Sequence, residues 1–272
     1  MKAVESIAVV PVPRRSAPVA CVAMVAERAI LTTWRNPPIV VTAMVQSVVF
    51  LLIFRFVFGG AIASGELPYV DFMVPGLLAA GVLFSVMRVA SSVAEDRAAG
   101  VVDRFRSLPM PPSAVLIGRA VGDHVLTIST LAATSMVAFA VGFRVREGFW
   151  GIAAMLALCL LAAVAFTWVF IAAGLAVGSV QAAQGVGFLV LPVSFVSSAY
   201  VPVSTMPGWL QAFATHQPFT VLVEANRYLA QGEAGLVGAT HSGGYYVVAA
   251  VAWCAGILVV AASAAFVLFR RR

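Results

Sequence analysis

The stretch from Ala94 to Gly122, AEDRAAGVVDRFRSLPMPPSAVLIGRAVG, carries the densest charge in a very apolar chain and is flanked by long apolar segments. Within it, apolar residues recur at spacings of three and four, as on one face of a short helix: Val101, Val102, Phe105 and Leu108. The prolines that follow are expected to stop that helix, and Ser113 is placed to cap the next one. The pattern predicts a short amphipathic helix between two membrane spans, which would be a docking surface. The alternative is that the segment is an ordinary solvated loop.

The composition identifies an integral membrane protein. Of the 272 residues, 62% are hydrophobic and only 10% are charged, whereas soluble domains carry about 25% charged residues. The mean hydropathy is +1.01. The net charge of +6 does not indicate nucleic-acid binding, because most basic residues flank apolar segments, as the topology of membrane proteins requires.

The chain has a single lysine, Lys2, and this excludes several kinds of active site. A phosphate-binding P-loop needs a lysine after a glycine-rich turn, so the chain is not itself a Walker-type ATPase. A Schiff base with retinal or pyridoxal is disfavoured for the same reason. Because the three histidines and three cysteines are scattered and no hydrolase motif is present, we predict neither a catalytic site nor a metal site.

Six apolar segments are each long enough to cross a bilayer, which needs about 20 residues. The predicted spans are Pro38–Phe58, Val70–Ala94, Ala114–Gly142, Phe149–Val177, Gln181–Val201 and Gly244–Phe269. Before them, Val19–Trp34 has the pattern of an amphipathic helix at the membrane surface. We therefore predict an all-α integral membrane fold, with a cytoplasmic tail and interfacial helix at 1–36 and a six-span domain at 37–272.

Basic residues predict the orientation in the membrane. Six spans place both termini on one side, and twelve lysine or arginine residues fall on that side. The other side has only Arg144, Arg146 and Arg227. Because positive charge gathers on the cytoplasmic side, both termini and the loop after Ala94 are predicted to be cytoplasmic. The arginine-rich, lysine-poor usage suggests the plasma membrane of a high-GC bacterium.

The external connection Pro202–Gly243 is predicted to fold as two short helices rather than as a simple loop. A Pro-Gly turn precedes Trp209, after which apolar residues have helical spacing, and Pro218 precedes a second such run. A segment that dips into the membrane and returns is tolerated only where protein buries it. The sequence therefore predicts a re-entrant helical segment between the fifth and sixth spans.

Arg55 and Arg88 are ionisable residues inside predicted spans, where charge is costly and often functional. Arg55 could extend to the external headgroups and Arg88 to the cytoplasmic ones. Alternatively, Arg88 could pair with an acidic residue across the bundle. No acidic residue is evident at mid-membrane, which disfavours an ion-coupled secondary transporter.

Together these features resemble the permeases of the type-2 ABC exporter family, in the branch that includes daunorubicin and doxorubicin exporters. The first motif that carries the resemblance comprises Glu95, Arg97, Gly100, Arg104, Phe105, Leu108, Pro111, Gly118 and Arg119. The second comprises Pro207-Gly208-Trp209-Leu210, His216-Gln217-Pro218 and Ala225-Asn226-Arg227. Two positions depart from the family's common residues, since Val101 stands in place of threonine and Arg119 in place of lysine.

The resemblance implies a permease dimer, with identical or homologous partners, docked on two cytoplasmic ABC ATPase subunits that would bind ATP and Mg²⁺. It implies that Asp96–Leu108 is a coupling helix seated in a groove of the ATPase. The residues expected to serve this coupling are Glu95, Asp96, Arg97, Val102, Arg104, Phe105, Arg106 and Leu108. The residues expected to define the external segment are Trp209, Gln217, Pro218 and Arg227.

The expected function is that of a non-enzymatic permease subunit in an ATP-driven exporter. Its cargo would be a lipophilic or amphipathic compound, such as a drug, an antibiotic or a lipid. Export of a polysaccharide or a lipid-linked glycan is one alternative, and a stand-alone membrane protein that does not use ATP is another. Membrane lipids are expected to contact the chain, and nucleic acid is not.

Overall fold

The computed structural model describes residues 18–59, 67–101 and 111–271, and these residues form helices joined by turns, without β-strands. The helices are α1 (Pro18–Trp34), α2 (Pro37–Ile53), α3 (Tyr69–Ala98), α4 (Pro112–Ala140), α5 (Gly148–Ala176), α6 (Val180–Phe188), α7 (Val190–Phe195), α8 (Gly208–His216), α9 (Pro218–Gln231) and α10 (Gly243–Arg271). A π-helical turn at Phe54–Phe58 continues α2. The predicted all-α fold is therefore confirmed across the described residues.

Among the described residues, five helices are long and apolar enough to span a membrane. They are Pro37–Phe58, Tyr69–Ala98, Ser113–Ala140, Gly148–Ala176 and Gly243–Arg270. They coincide with five of the predicted spans to within a few residues, because each is a long apolar run that begins next to proline or glycine. The chain is thus a multi-pass helical membrane protein.

The predicted span Gln181–Val201 differs, because its apolar part is divided into α6 and α7 at Leu189. Pro192 explains the division, since it has no N–H to donate to the carbonyl of Phe188 and its ring clashes with that carbonyl. The apolar helical stretch Val180–Phe195 is therefore shorter than the five candidate spans. The prediction of a sixth continuous spanning helix is not confirmed.

The most buried of the five candidate spans is α3. In its most apolar stretch 78% of the residues are buried, against 17% in both α2 and α10. It packs on α5, where a Cβ added at Gly174 would lie only 2.8 Å from the Cβ of Val93. It packs on α6, where a Cβ at Gly187 would lie 2.8 Å from the Cγ of Met87. Close approach at small residues is the usual way in which membrane helices associate.

The residues predicted as the helix Val19–Trp34 lie in α1, which packs against α4. Cys21 and Val25 are buried, whereas Trp34 is exposed, so the helix has one packed face and one open face. The close contact depends on Gly118 of α4, where a Cβ would lie 2.7 Å from the Cβ of Val25. The location of α1 at the membrane surface stays a prediction.

Within Pro202–Gly243 the structure has two short α-helices, α8 and α9. Most of α8 is exposed, whereas α9 is almost wholly buried and packs against α3, α5 and α10. Burial by these longer helices is the condition under which a re-entrant segment is tolerated. The external position of this segment stays a prediction.

Candidate functional site

Charged side chains collect at the two ends of the helical bundle. The Arg227 end comprises α9, the start of α3 and the turn after α4. The Asp96 end comprises the end of α3, the first turns of α4, and α1. The predicted site residues that the structure describes divide mainly between these two ends.

Arg227 is completely buried and ties α9 to two other parts of the chain. Its Nε donates to the carbonyl of Phe72 at 2.8 Å, and its Nη2 donates to the carbonyl of Ser198. Its Nη1 donates to Oε1 of Glu224 at 2.8 Å. The Cζ atom also lies 3.7 Å from the centroid of the Phe72 ring, a cation–π contact. Arg227 therefore joins α9 to the start of α3 and to the turn after α7.

The charge of Arg227 is maintained by its partners. Burial lowers the pKa of Arg227 from its ordinary value, and the Glu224 carboxylate raises it again. A buried ion pair of this kind is tolerated when further hydrogen bonds satisfy the remaining donors, as the two carbonyls do. Arg227 and Glu224 therefore form a buried ion pair, and removal of one partner would leave the other as an uncompensated buried charge.

Glutamines at both ends of α9 add further tethers. Gln217 donates from Nε2 to the carbonyl of Val196, and Gln231 donates from Nε2 to the carbonyl of Arg144 at 2.7 Å. The backbone N–H of Arg144 in turn donates to Oδ1 of Asp71 at 2.8 Å. These bonds hold α9 between the start of α3 and the turn after α4.

The predicted external residues do not form one cluster. Pro218 is the first residue of α9, with Gln217 before it as the N-cap. Gln217 and Arg227 both make hydrogen bonds that hold α9 in place, and Pro218 begins that helix. Trp209 is 77% exposed on α8 and is not part of it.

Arg55 lies in the π-helical turn at the end of α2, at the Arg227 end of the bundle. Its Nε donates to the carbonyl of Val141, just after α4, at 3.4 Å. A π-turn is often found where a side chain is placed for a function. Arg55 thus connects the ends of two candidate spans.

Arg88 is exposed on α3, at a small cavity between α2, α3 and α4. The cavity has a volume of about 60 Å³, and its polar lining includes Gln46, Ser85 and Thr130. The pairing of Arg88 with an acidic residue across the bundle stays a prediction.

Arg119 organises the Asp96 end. Its Nη1 forms an ion pair with the Asp96 carboxylate, and its Nη2 donates to Oγ of Ser92 at 2.7 Å. Both partners belong to α3, whereas Arg119 belongs to α4. Arg119 therefore joins the helix that precedes residues 102–110 to the helix that follows them.

Glu95, Asp96 and Arg97 lie in the last turn of α3, which continues to Ala98 and therefore beyond the predicted end of that span at Ala94. Arg97 donates from Nη1 to the carbonyls of Leu175 and Val177 at 2.9 and 3.0 Å, so it fastens α3 to the end of α5. Asp96 and Arg97 are thus used within the chain, and Glu95 is exposed. The other residues predicted for coupling lie outside the described residues: Val102, Arg104, Phe105, Arg106 and Leu108.

Asp123 is an acidic residue inside a candidate span, Ser113–Ala140. Its Oδ2 is 3.7 Å from Nε of Arg119, one helical turn away. The i, i+4 spacing of the two residues was the signal in the sequence. Because Arg119 balances Asp123, the acid gives no support to ion-coupled transport.

A cavity of about 160 Å³ lies between α1, α3 and α4 at the Asp96 end. Asp96, Arg119 and Asp123 contribute charged groups to its lining, and Val25 and Val115 contribute apolar ones. A cavity of this size and polarity has room for several water molecules, which would solvate the charges. In the described ranges 18–59, 67–101 and 111–271, no three His, Cys, Asp or Glu side chains are grouped as metal ligands would be.

Long apolar helices around a central helix, with charge collected at the two ends, define an integral membrane protein of the multi-pass class. Residues 21–230 match the ABC-2 type transporter family. The chain is 32% identical over 209 residues to the daunorubicin resistance ABC transporter permease protein DrrB1 of Streptomyces coeruleorubidus, which covers 76% of this chain and 74% of that protein.

A second relative is the probable doxorubicin resistance ABC transporter permease protein DrrC of two Mycobacterium tuberculosis strains. It is 26% identical over 254 residues, which cover 89% of this chain and 86% of that protein. The chain belongs to the ABC-2 type transporter family. This confirms the family that the sequence motifs resemble.

Proposed function

We propose that the chain is the transmembrane permease subunit of an ATP-driven ABC exporter. Its cargo is a lipophilic or amphipathic compound, such as a drug, an antibiotic or a lipid, which it moves out across the cytoplasmic membrane. The observation that carries this proposal is the family match over residues 21–230. The printed names of the relatives, which refer to daunorubicin and doxorubicin resistance, support the cargo class.

ATP hydrolysis in this proposal takes place on a separate cytoplasmic subunit, which holds ATP and Mg²⁺. A P-loop needs a lysine that reaches the nucleotide phosphates, and the single lysine of the chain, Lys2, is not part of such a motif. This supports the placement of ATP hydrolysis on a separate subunit. The permease contributes the transport path and its movement. ATP binding shifts an equilibrium between inward-facing and outward-facing states, because the ATPase contacts those states differently.

The contact with the ATPase is assigned in this proposal to residues 102–110 and the adjoining end of α3. Val102, Phe105 and Leu108 would enter an apolar groove. Arg104 and Arg106 would meet acidic side chains. The ion pair between Arg119 and Asp96 supports this assignment, because it joins the two helices between which the segment lies. A movement of the segment would therefore reach α3, the most buried candidate span.

A second permease, identical or homologous, completes the proposed transporter. Only 17% of the most apolar stretch is buried in α2 and in α10, so both helices leave apolar surface for lipid or for the second permease. The charge asymmetry supports cytoplasmic termini in a bacterial plasma membrane, with the tail and α1 at 1–36 and the transmembrane domain at 37–272.

The first test is purification of the tagged chain from its native membrane in mild detergent, with identification of the proteins that accompany it. A stoichiometric ATPase subunit with a Walker motif is the expected result. A non-identical permease in the same complex would show a heterodimer. A chain that stays alone even after crosslinking would contradict the proposal.

The second test addresses the ATPase contact. Phe105→Asp, or the pair Arg104→Glu and Arg106→Glu, should release the ATPase while membrane insertion is unchanged. Arg146→Glu is a matched control, because Arg146 is exposed at the opposite end of the bundle. Retention of the ATPase and of transport in the first two variants would refute the assignment of residues 102–110.

A further inference from the structure

We infer that a pocket beside α9 binds an ammonium group, with the carboxylate of Glu224 as its counter-ion. The pocket lies between α8, α9 and the start of α10 and has a volume of about 120 Å³. Besides Glu224, its polar lining consists of Ser204, Gln211, Thr215, Thr220, Thr240 and Tyr246. We call it the Glu224 pocket.

Glu224 lines this pocket with one carboxylate oxygen unused. The residue is only 5% exposed, and its Oε1 accepts a hydrogen bond from Nη1 of Arg227. Its Oε2 is buried and has no hydrogen-bond partner among the described residues. An ionised carboxylate accepts hydrogen bonds and donates none, so only a donor can satisfy Oε2. Because an unsatisfied buried acceptor costs free energy, the pocket favours a ligand that supplies that donor.

Arg227 does not line the pocket, although its Nη1 donates to Oε1 of Glu224. Its Nε and Nη2 donate to the carbonyls of Phe72 and Ser198, and its guanidinium lies over the Phe72 ring. Among the described residues that line the pocket there is no lysine or arginine. The pocket is therefore lined by one carboxylate and by neutral groups, which favours a cation over an anion.

The chemistry of the lining favours an ammonium group over a metal ion. Ca²⁺ takes six to eight oxygen ligands, usually from several carboxylates, whereas Glu224 is the one carboxylate that lines the described pocket. A primary ammonium has three N–H donors, which suits one carboxylate oxygen together with hydroxyl oxygens such as those of Thr215 and Thr220.

The pocket is open at one side. Ser204, Gly238 and Thr240 are exposed at its mouth, whereas Thr220, Glu224 and Tyr246 are buried at its base. A small ammonium group can enter from the exposed side, and the body of a larger amphiphile would remain outside. The Glu224 pocket therefore recognises the charged end of a ligand rather than its apolar body.

We consider two kinds of molecule that would bring an ammonium group to this pocket. One is an amphipathic amine that the permease exports, and only this assignment rests on the proposed function. The other is phosphatidylethanolamine, whose headgroup has the same primary ammonium. The chemistry at Glu224 is shared, so the source is decided by experiment.

The test uses the full chain in phosphatidylcholine nanodiscs, with benzylamine and benzyl alcohol as probes of equal shape and different charge. Calorimetry should show saturable binding of benzylamine and at least tenfold weaker binding of benzyl alcohol. Glu224→Gln should weaken benzylamine binding at least tenfold, because the amide still accepts a hydrogen bond from Arg227 but carries no charge. Glu233→Gln is the matched control, because Glu233 is exposed nearby and does not line the pocket.

A second variant keeps the inference testable if Glu224→Gln fails to fold. Ser204→Phe narrows the exposed mouth without touching Arg227 and should also abolish benzylamine binding. Equal binding of both probes, or unchanged binding in both variants, would overturn the inference.

Nanodiscs that contain phosphatidylethanolamine distinguish the two sources. Competition with benzylamine supports the lipid headgroup as the ligand, and absence of competition supports a free amphipathic amine. The measurement needs neither ATP nor an ATPase. Its failure would therefore leave the exporter proposal standing, and the loss of ATPase co-purification would leave the Glu224 pocket standing.

Discussion

The carboxylate of Asp96 forms an ion pair with the guanidinium of Arg119, and the pair joins the end of α3 to the second turn of α4. A hydrogen bond from Arg119 to Ser92 strengthens the same junction. Residues 102–110 lie between these two helices in the chain. Asp96 therefore has a role within the permease, on the helix that leads into the proposed ATPase contact.

Replacement of Asp96 by asparagine should impair coupling more than it impairs the fold, because Arg119 stays in place to balance Asp123. Asp96 is 37% exposed in the pair, so solvent screens the interaction and the loss of stability should be about 1 kcal/mol. Transport-linked ATP hydrolysis by the assembled complex should fall several-fold, whereas the ATPase should still co-purify. Glu95→Gln, in an exposed residue of the same helical turn, is the control.

The charge reversal of this pair gives a stricter test. Asp96→Arg combined with Arg119→Asp should recover part of the lost activity, because the reversed pair can form at the same place. Double-variant activity no higher than that of either single variant would argue against a direct pair.

Replacement of Arg227 by methionine should destabilise the protein by about 3–5 kcal/mol, because the buried Glu224 then lacks its counter-charge. Thermal unfolding of the purified chain in detergent measures this loss. Arg146→Met is the control, since Arg146 is exposed at the same end of the bundle. Arg227→Met combined with Glu224→Leu should cost less than Arg227→Met alone, and a larger cost would contradict the paired arrangement.

Replacement of Gly118 by valine should push α1 away from α4, because the new side chain would meet Val25. Overpacking of this kind costs about 1–3 kcal/mol. The buried thiol of Cys21 on α1 should then react faster with a maleimide. Gly256→Val is the control, because nothing lies within 4 Å of a Cβ at Gly256, and equal labelling rates in the two variants would refute this packing.

Replacement of Pro192 by alanine should join α6 and α7 into a straighter helix, because the carbonyl of Phe188 regains a donor. Spin labels at the exposed positions Gln181 and Phe195 should move farther apart. Pro37→Ala is the control, because Pro37 is the first residue of α2 and its missing N–H affects no helical hydrogen bond. An unchanged distance would mean that packing on α3, rather than Pro192, sets the break.

The sequence alone was sufficient to predict those helices that are determined by local residue patterns. Long apolar runs gave five spans, and prolines marked the starts of α2, α4 and α9. The break between α6 and α7 was not predicted, because the span was assigned from the apolar character of the whole segment, which one internal proline hardly changes. Pro192 was the available signal.

The hydrogen-bond partners of the side chains could not be predicted from the sequence, because they depend on how distant helices pack. Arg227 bonds to Phe72, which is 155 residues away in the chain. Arg97 bonds to the end of α5 only because α3 continues one turn past Ala94. The roles of the predicted coupling residues and external residues stay predictions.

The bond between Asp96 and Arg119 has an evolutionary consequence. Because the permease itself fixes the two helices that border residues 102–110, substitutions within that segment need not disturb the transmembrane body. If the proposed ATPase contact holds, the segment would then diverge with the ATPase, while the rest of the chain would diverge with its cargo. Under that proposal, exchange of the segment between relatives would transfer the preference for an ATPase without transferring the preference for a substrate.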